Sequence, residues 1–215
     1  MRLLTLLAGL MASQLSFANI CFSDFPPESL QDDNLTSPIE QFCRGLYHEK
    51  GIGFAHSQSE SFQWYLKAAS QGLVSAEFNV ANGYYNGTGV RKDLVRAKQW
   101  YTRSARQESK EAMHMLGIMA QSGQAGPVDY GEAVLWYQRA SNRGHPTAMQ
   151  NLASLYYHGR GTTRNPCMAM KWMILAERHG NPDAGRLADQ LASSLPSSVF
   201  FCGLNRADNW RPSSR

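Results

Sequence analysis

Apolar residues recur along most of the chain with the spacing of one helix face. In one stretch the apolar positions i, i+4, i+5 and i+8 hold Ala76, Val80, Ala81 and Tyr84. Residues 94–105 follow a similar course. A polar segment that contains glycine separates the two stretches. The pattern therefore predicts pairs of short amphipathic helices and an all-α fold.

The same pattern returns every 36 residues. A tryptophan and the residue after it keep this step at Trp64-Tyr65, Trp100-Tyr101, Trp136-Tyr137 and Trp172-Met173. Other columns hold alanine at Ala76, Ala112, Ala148 and Ala184, and glycine at Gly51, Gly87, Gly123 and Gly159. Several columns in one phase indicate a repeat protein, in which helix pairs stack because no single pair buries its apolar face. We expect the four tryptophans to fill the core and not to form a ligand cage.

The segment between the two helices of a pair is best seen at residues 86–93, Asn-Gly-Thr-Gly-Val-Arg-Lys-Asp. Gly87 and Gly89 suit a chain reversal that needs positive φ, and Asp93 stands where an N-cap begins the second helix. A phosphate-binding loop would need a preceding strand and, in its Walker form, a Gly-Lys-Ser/Thr ending, and this segment has neither. The segment is therefore predicted to be a turn between helices.

These columns resemble the Sel-one-like repeat, a relative of the tetratricopeptide repeat. The second repeat carries the pattern most fully, at Ala76, Val80-Ala81, Tyr84, Gly87-Thr88-Gly89-Val90, Asp93, Ala97 and Trp100-Tyr101. Repeat 1 departs from it with Glu40 and Arg44, and repeat 3 with Ala125-Gly126. The resemblance implies a right-handed α-solenoid of four helix-turn-helix repeats, at 39–73, 74–109, 110–145 and 146–181.

The resemblance also implies a partner-binding groove on the first helix of each repeat, with positions spaced 3, 4 and 3 apart. The expected groove residues are Ser75, Phe78, Asn82 and Tyr85 in repeat 2, Glu111, His114, Ile118 and Gln121 in repeat 3, and Thr147, Gln150, Ser154 and Tyr157 in repeat 4. Their aromatic, amide and hydroxyl groups suit an extended peptide or a partner helix. The alternative is a solvated face without a partner.

The segments outside the repeats lack the period. Residues 182–194 are predicted to form a capping helix, with Pro182 in its first turn. Residues 19–38 are expected to be irregular. Residues 195–215 are expected to form a tail that Val199-Phe200-Phe201 and Cys202 tie back onto repeat 4.

The first eighteen residues have the anatomy of a secretory signal. Arg2 precedes an apolar run over residues 3–15, and Ser16-Phe17-Ala18 forms a small-x-small cleavage pattern. Cleavage would start the mature chain near Asn19, in the periplasm, and leave no transmembrane span. A membrane anchor is the alternative, but the run is shorter than the ~20 apolar residues that cross a bilayer. A lipoprotein fits poorly, because bulky Ile20 precedes Cys21.

If the chain is exported, its four cysteines are expected to form disulfides. Cys21, Cys43, Cys167 and Cys202 all lie after residue 18, and an even count in an oxidising compartment favours disulfides. Of the three possible pairings, we favour the local one, Cys21 with Cys43 and Cys167 with Cys202, since two cysteines lie near each end.

Charge is distributed unevenly along the chain. Residues 19–72 hold three Lys/Arg against seven Asp/Glu, whereas residues 73–215 hold seventeen against ten. This asymmetry suits an acidic partner, a cell-wall polymer or a second copy bound head to tail. Nucleic acid is discounted, because the basic residues form no block and the chain is exported.

The sequence offers little for catalysis, metal binding or a cofactor. None of the six histidines forms a metal-spaced pair with a carboxylate, and no serine lies in Gly-x-Ser-x-Gly. One cysteine-rich branch of the family is associated with binding or hydrolysing β-lactams, but that branch has a cysteine pair in each repeat. We therefore predict a non-enzymatic scaffold that binds an envelope protein or peptide. A flagellar motor accessory protein and an enzyme acting on cell-wall or β-lactam-like ligands are the alternatives.

Overall fold

The structure, a computed structural model, describes residues 14–213 and is helical. This described part contains eleven α-helices and no β-strand. It divides into two compact units, one up to Asp93 and the other from Leu94 onward. The all-α prediction is confirmed.

The first unit contains four α-helices and one short 3₁₀ helix. They are α1 (Gln14–Asp24), the 3₁₀ helix (Pro27–Leu30), α2 (Pro38–Lys50), α3 (Gln58–Ser70) and α4 (Val74–Asn86). Helix α3 packs against both α2 and α4, and α1 lies against α2. Antiparallel neighbours joined by short loops are the arrangement that the period predicts.

The second unit contains seven helices. They are α5 (Leu94–Arg106), α6 (Lys110–Ser122), α7 (Tyr130–Asn142), α8 (Pro146–His158), α9 (Pro166–Arg178), α10 (Ala184–Ser194) and α11 (Ser197–Asp208). From α5 to α10 each helix packs on the next, whereas α11 packs on α9 and has few contacts with α10.

One polar column of the repeat begins the second helix of each pair. Ser57, Asp129 and Asn165 each precede such a helix, and the side-chain oxygen of each accepts a hydrogen bond from a backbone N–H in the first turn. This bond satisfies one of the donors that a helix start leaves without a partner. Asp93 occupies the same column immediately before α5.

Small residues let the two helices of a pair approach closely. A Cβ at Gly45 would lie 2.8 Å from the ring of Tyr65, and a Cβ at Gly117 would lie 2.5 Å from the ring of Tyr137. Both tyrosines are at least 95% buried. A residue without a side chain at these two positions is therefore what permits the close approach.

The tryptophans do not all lie in the core as predicted. Trp64 and Trp172 are buried at 3% and 1% exposure, but Trp100 and Trp136 are only half-buried. Their outer faces carry guanidinium groups instead, with Arg103 4.6 Å from the ring of Trp100 and Arg139 4.9 Å from that of Trp136. Each arginine follows its tryptophan by three residues, so one helix turn places the cation over the ring.

The segment expected to be irregular, residues 19–38, and the predicted tail, residues 195–215, both contain helices. Helix α1 and the 3₁₀ helix fall within or overlap residues 19–38, and α11 occupies most of residues 195–215. The predicted leader, residues 1–18, lies mainly outside the described residues, although α1 already begins at Gln14. The capping helix lies close to its predicted place, as α10.

Two disulfides hold these terminal helices to the repeats. Cys21 of α1 is bonded to Cys43 of α2, and Cys167 of α9 to Cys202 of α11. This is the local pairing that the sequence favoured. Tyr47 adds a polar link, since its hydroxyl lies 2.8 Å from the carbonyl oxygen of Cys21 and 2.9 Å from that of Phe25.

Candidate functional site

The first unit contains an open groove of about 520 Å³. Helices α2, α3 and α4 form it, and its lining includes both aromatic and polar groups. Phe42, Phe62 and Tyr65 are almost fully buried and supply the floor. The polar lining residues are Glu49, Lys50, Gln58, Ser61, Asn79, Asn82, Asn86 and Thr88. The groove therefore combines an apolar base with a rim of amides, hydroxyls and charges.

A fixed hydrogen bond orients the polar side of this groove. The hydroxyl of Tyr65 donates to Oε2 of Glu49 at 2.8 Å, while Nζ of Lys50 lies 3.0 Å from Oε1. Burial, and then the charge of Glu49, raise the pKa of Tyr65 well above 10. Tyr65 therefore remains a protonated donor to Glu49 at the groove.

Asn82 alone of the twelve predicted groove residues lines this groove. Ser75, Phe78 and Tyr85 lie on the same helix, α4, but not in the lining. The ring of Tyr85 instead has Nζ of Lys92 6.0 Å from its centroid. The face of α4 that lines this groove is thus rotated about the helix axis from the face that carries Ser75, Phe78 and Tyr85.

Two predicted groove residues of the second unit form hydrogen bonds with other segments of the unit. Gln121 of α6 accepts a hydrogen bond from the hydroxyl of Tyr137 at 3.0 Å, and Gln150 of α8 accepts one from Asn181 at 2.6 Å. Thr147 and Ser154 are exposed, whereas Glu111, Ile118 and Tyr157 are partly buried. The guanidinium of Arg164 lies 5.6 Å from the ring of Tyr157.

His114 belongs to a small cluster between α6 and α8. Its ring stacks on that of His145, with centroids 4.3 Å apart, and its Nε2 lies 3.2 Å from Nδ2 of Asn151. Nδ1 of His145 accepts the backbone N–H of Ala148 at 3.1 Å and so caps α8. Burial, and then the neighbouring His145, lower the pKa of His114 to about 3. Burial, and then Lys110, lower that of His145 to about 4.

Helix α5 carries a second, basic groove of about 380 Å³. Its lining consists of Val95, Lys98, Gln99, Thr102, Arg103, Arg106 and, from the loop between α6 and α7, Ala125. Lys98 is paired with Glu132 of α7 at 3.3 Å. The three cations agree with the excess of basic residues that the sequence places after residue 72.

No group of three or more His, Cys, Asp and Glu side chains within residues 14–213 could hold a metal ion. In the same range, no helix is both long and apolar enough to cross a lipid bilayer.

The family model for the Sel1 repeat matches four consecutive segments, residues 44–73, 74–109, 110–145 and 146–181. Together they make up more than half of the sequence. The chain belongs to the Sel1 repeat family. Sel1 repeats generally serve as non-catalytic scaffolds for protein-protein interaction.

Solved Sel1 repeat structures share the fold. The Sel1 repeat protein from Oxalobacter formigenes superposes with a TM-score of 0.74 at 27% identity, over 90% of this chain and 81% of that one. The antigen c5321 of uropathogenic Escherichia coli, described as displaying an SLR fold, gives 0.71 at 23% identity. That match covers 80% of this chain and 38% of the antigen. No curated protein matches the sequence.

A sequence pattern in α4 of this Sel1 repeat chain marks the helix face that lines the groove. Asn79, Asn82 and Asn86 lie at i, i+3 and i+7 of α4 and all line the groove. Three asparagines on one helix face are an unusual use of a residue with poor helix propensity. The stripe, and not the aromatic residues Phe78 and Tyr85, marks the face that meets the groove.

Proposed function

We propose that this protein is an exported Sel1 repeat scaffold that binds an extended segment of a partner protein in the cell envelope. The observation that carries the proposal is the groove between α2, α3 and α4, with its aromatic floor and its asparagine-lined wall. The general role of Sel1 repeats in protein interaction supports it.

The chemistry of the groove suits a peptide backbone. The amide of Asn86, on the exposed rim of the groove, carries both donors and an acceptor, which match the alternating N–H and C=O groups of an extended chain. The edges of Phe42 and Phe62 offer apolar contact to alternate side chains. A partner side chain that carries a cation or a hydroxyl would complement Glu49.

The disulfides support export. Disulfides persist in oxidising compartments, and the two bonds here indicate an extracytoplasmic location. The signal-like first eighteen residues agree with that location. The periplasm is the compartment that we propose.

Photo-crosslinking in cells tests the proposed site. A photoreactive residue at Asn86, which is exposed on the groove rim, should capture a partner that a probe at exposed Gln99 of α5 does not. Thr88→Arg, which places a long cationic side chain in the groove, should remove the Asn86 product and leave the melting temperature unchanged within ~2 °C, as expected of a change at an exposed residue. Identical products from both probes, or a product that survives Thr88→Arg, would refute binding in this groove.

A further inference from the structure

The two disulfides lie in different surroundings. Cys21 and Cys43 are both 0% exposed, whereas Cys167 and Cys202 are both partly exposed. Exchange requires a thiolate to reach one of the sulfur atoms. A small thiol can therefore reach the Cys167–Cys202 bond in the folded protein, while the Cys21–Cys43 bond is shielded.

Cys167 is the second residue of α9. It follows Pro166 at the helix start, and Asn165 caps the helix by accepting the N–H of Met168 at 3.0 Å. The start of a helix has a partial positive charge that stabilises a thiolate. Cys202, by contrast, lies in the middle of α11. Cys167 is thus the better leaving group of the two.

Two cations lie beside the same bond. Lys171 is one turn beyond Cys167 on α9, and Arg206 is one turn beyond Cys202 on α11. Nη1 of Arg206 lies 3.9 Å from the sulfur of Met168. Burial, and then the nearby charge of Arg206, lower the pKa of Lys171. The acidic group at this junction, Asp208, is paired with Arg178 at 2.8 Å, so the cations are not neutralised by it.

We propose that the Cys167–Cys202 disulfide is a thiol-disulfide exchange site that accepts the thiolate of an incoming thiol at Cys202. The thiolate attacks Sγ of Cys202, the bond between the two cysteine sulfurs breaks, and Cys167 departs with the electron pair as a thiolate. A second thiolate then attacks the incoming sulfur of this mixed disulfide. Cys202 is released as a thiolate, and the two incoming thiols leave as their own disulfide. The two electrons that the protein gains come from those thiols.

Opening this bond removes the covalent tie between α11 and α9. Gly203 brings α11 so close to α9 that a Cβ there would lie 2.5 Å from Cγ of Met170. Trp210 adds an edge-to-face contact with Trp172 at 6.2 Å. Because α11 has few contacts with α10, these contacts with α9 are what hold it. Reduction therefore loosens α11 before any other helix of the second unit.

Timed reduction of the folded, oxidised protein with 2-mercaptoethanol tests the proposal. Apart from its thiolate, this reagent carries no charged group that the protein could attract or repel. After an alkylation quench, peptide mapping should show Cys167–Cys202 opening at least tenfold faster than Cys21–Cys43. The mercaptoethanol adduct should be found on Cys202, with Cys167 free. Equal rates for the two bonds, or an adduct mainly on Cys167, would overturn the proposal.

Variants test the part played by the cations. Lys171→Gln and Arg206→Gln should each slow the opening of Cys167–Cys202 several-fold, while the matched control Arg186→Gln, on exposed α10, should leave it unchanged. If the Cys167–Cys202 bond opened at the same rate in Lys171→Gln, Arg206→Gln and Arg186→Gln, the electrostatic argument would be refuted. If either variant fails to fold, the position of the adduct in the unmodified protein still decides the proposal.

Hydrogen exchange should rise in residues 197–208 on reduction, and unchanged protection there would refute the release of α11.

Discussion

Left-handed backbone conformations recur at fixed positions of the repeat, and glycine holds most of them. Two exceptions are Ala125, with φ of 59°, and Glu108, with φ of 69°. One repeat later the same positions are Gly161 and Gly144, respectively. Glu108 forms an ion pair with Arg143, which offsets part of the strain. The turns on either side of α6 are therefore the ones that depart most from the common pattern.

Gly87→Val should destabilise the protein by about 2 kcal/mol, because a β-branched residue is strained at positive φ. Gly87 has φ of 80°, and a Cβ there would lie 3.2 Å from Cβ of Lys92. Denaturant unfolding measures the loss. Gly126→Val is the matched control, because a Cβ at Gly126 would meet nothing within 4 Å. Equal losses in the two variants would contradict the role of the turn geometry.

The residue columns predicted the turns well, whereas of the predicted groove residues only Asn82 lies in the groove between α2, α3 and α4. Gly87 and Gly89 have the positive φ expected of them. The groove residues were placed by a spacing of 3, 4 and 3 from Ser75, which specifies a helix face but not the tilt of that helix against α2 and α3. A shift of one residue turns the face by about 100°. This is enough to replace Phe78 with Asn79 in the groove.

At the scale of the helix, the start of α8 depends on a neutral histidine. Its cap, His145, accepts the N–H of Ala148 through Nδ1 and stacks on His114. Protonation of Nδ1 would remove the acceptor. The folded protein keeps both histidines neutral well below the ordinary pKa of 6.5, at which the unfolded chain binds protons. Stability is therefore complete above pH 6.5 and is lost as pH falls toward the folded values of about 4 and 3.

We expect the free energy of unfolding to drop by about 1 to 2 kcal/mol from this cap between pH 7 and pH 5. Urea melts at several pH values measure the slope. His145→Asn keeps a capping oxygen but does not titrate, so its melts should show a shallower slope. A parallel change at exposed His56 serves as the control. An unchanged slope in His145→Asn would show that this histidine is not responsible.

The two helices that the sequence patterns missed, α1 and α11, both lie outside the repeats. The repeat columns located α2 to α9 because each apolar column returns three or four times. Helices α1 and α11 have no second copy, and their short apolar runs do not distinguish a helix from an irregular segment. Covalent bonds from Cys21 and Cys202 secure them, and cysteine pairing carries no information about secondary structure.

At the scale of the whole molecule, each compact unit contains one disulfide. The bonds close loops with sequence separations of 22 and 35 residues. Such loops restrict the unfolded chain, which raises the free energy of unfolding. Each bond also ties a helix outside the repeats to a helix within them.

Replacing both Cys21 and Cys43 with alanine should lower the free energy of unfolding by ~3 kcal/mol, because the unfolded chain regains the freedom of the loop. Guanidinium unfolding of the oxidised protein measures it. The double variant Cys167→Ala and Cys202→Ala is the comparison, with a similar entropic loss expected. A loss well below 1 kcal/mol in both would contradict the stabilising role of the bonds.

The docking of α11 on α9 bears on how this array can change in evolution. Tandem repeats gain and lose copies when whole units duplicate or are deleted. A duplicated 36-residue unit inserted before Pro146 would leave the pairs Cys21–Cys43 and Cys167–Cys202 intact. An extra unit added after Arg178 would separate Cys202 from its partner and displace α11. Copy number in descendants of this chain should therefore vary in the middle of the array, while its last repeat stays last.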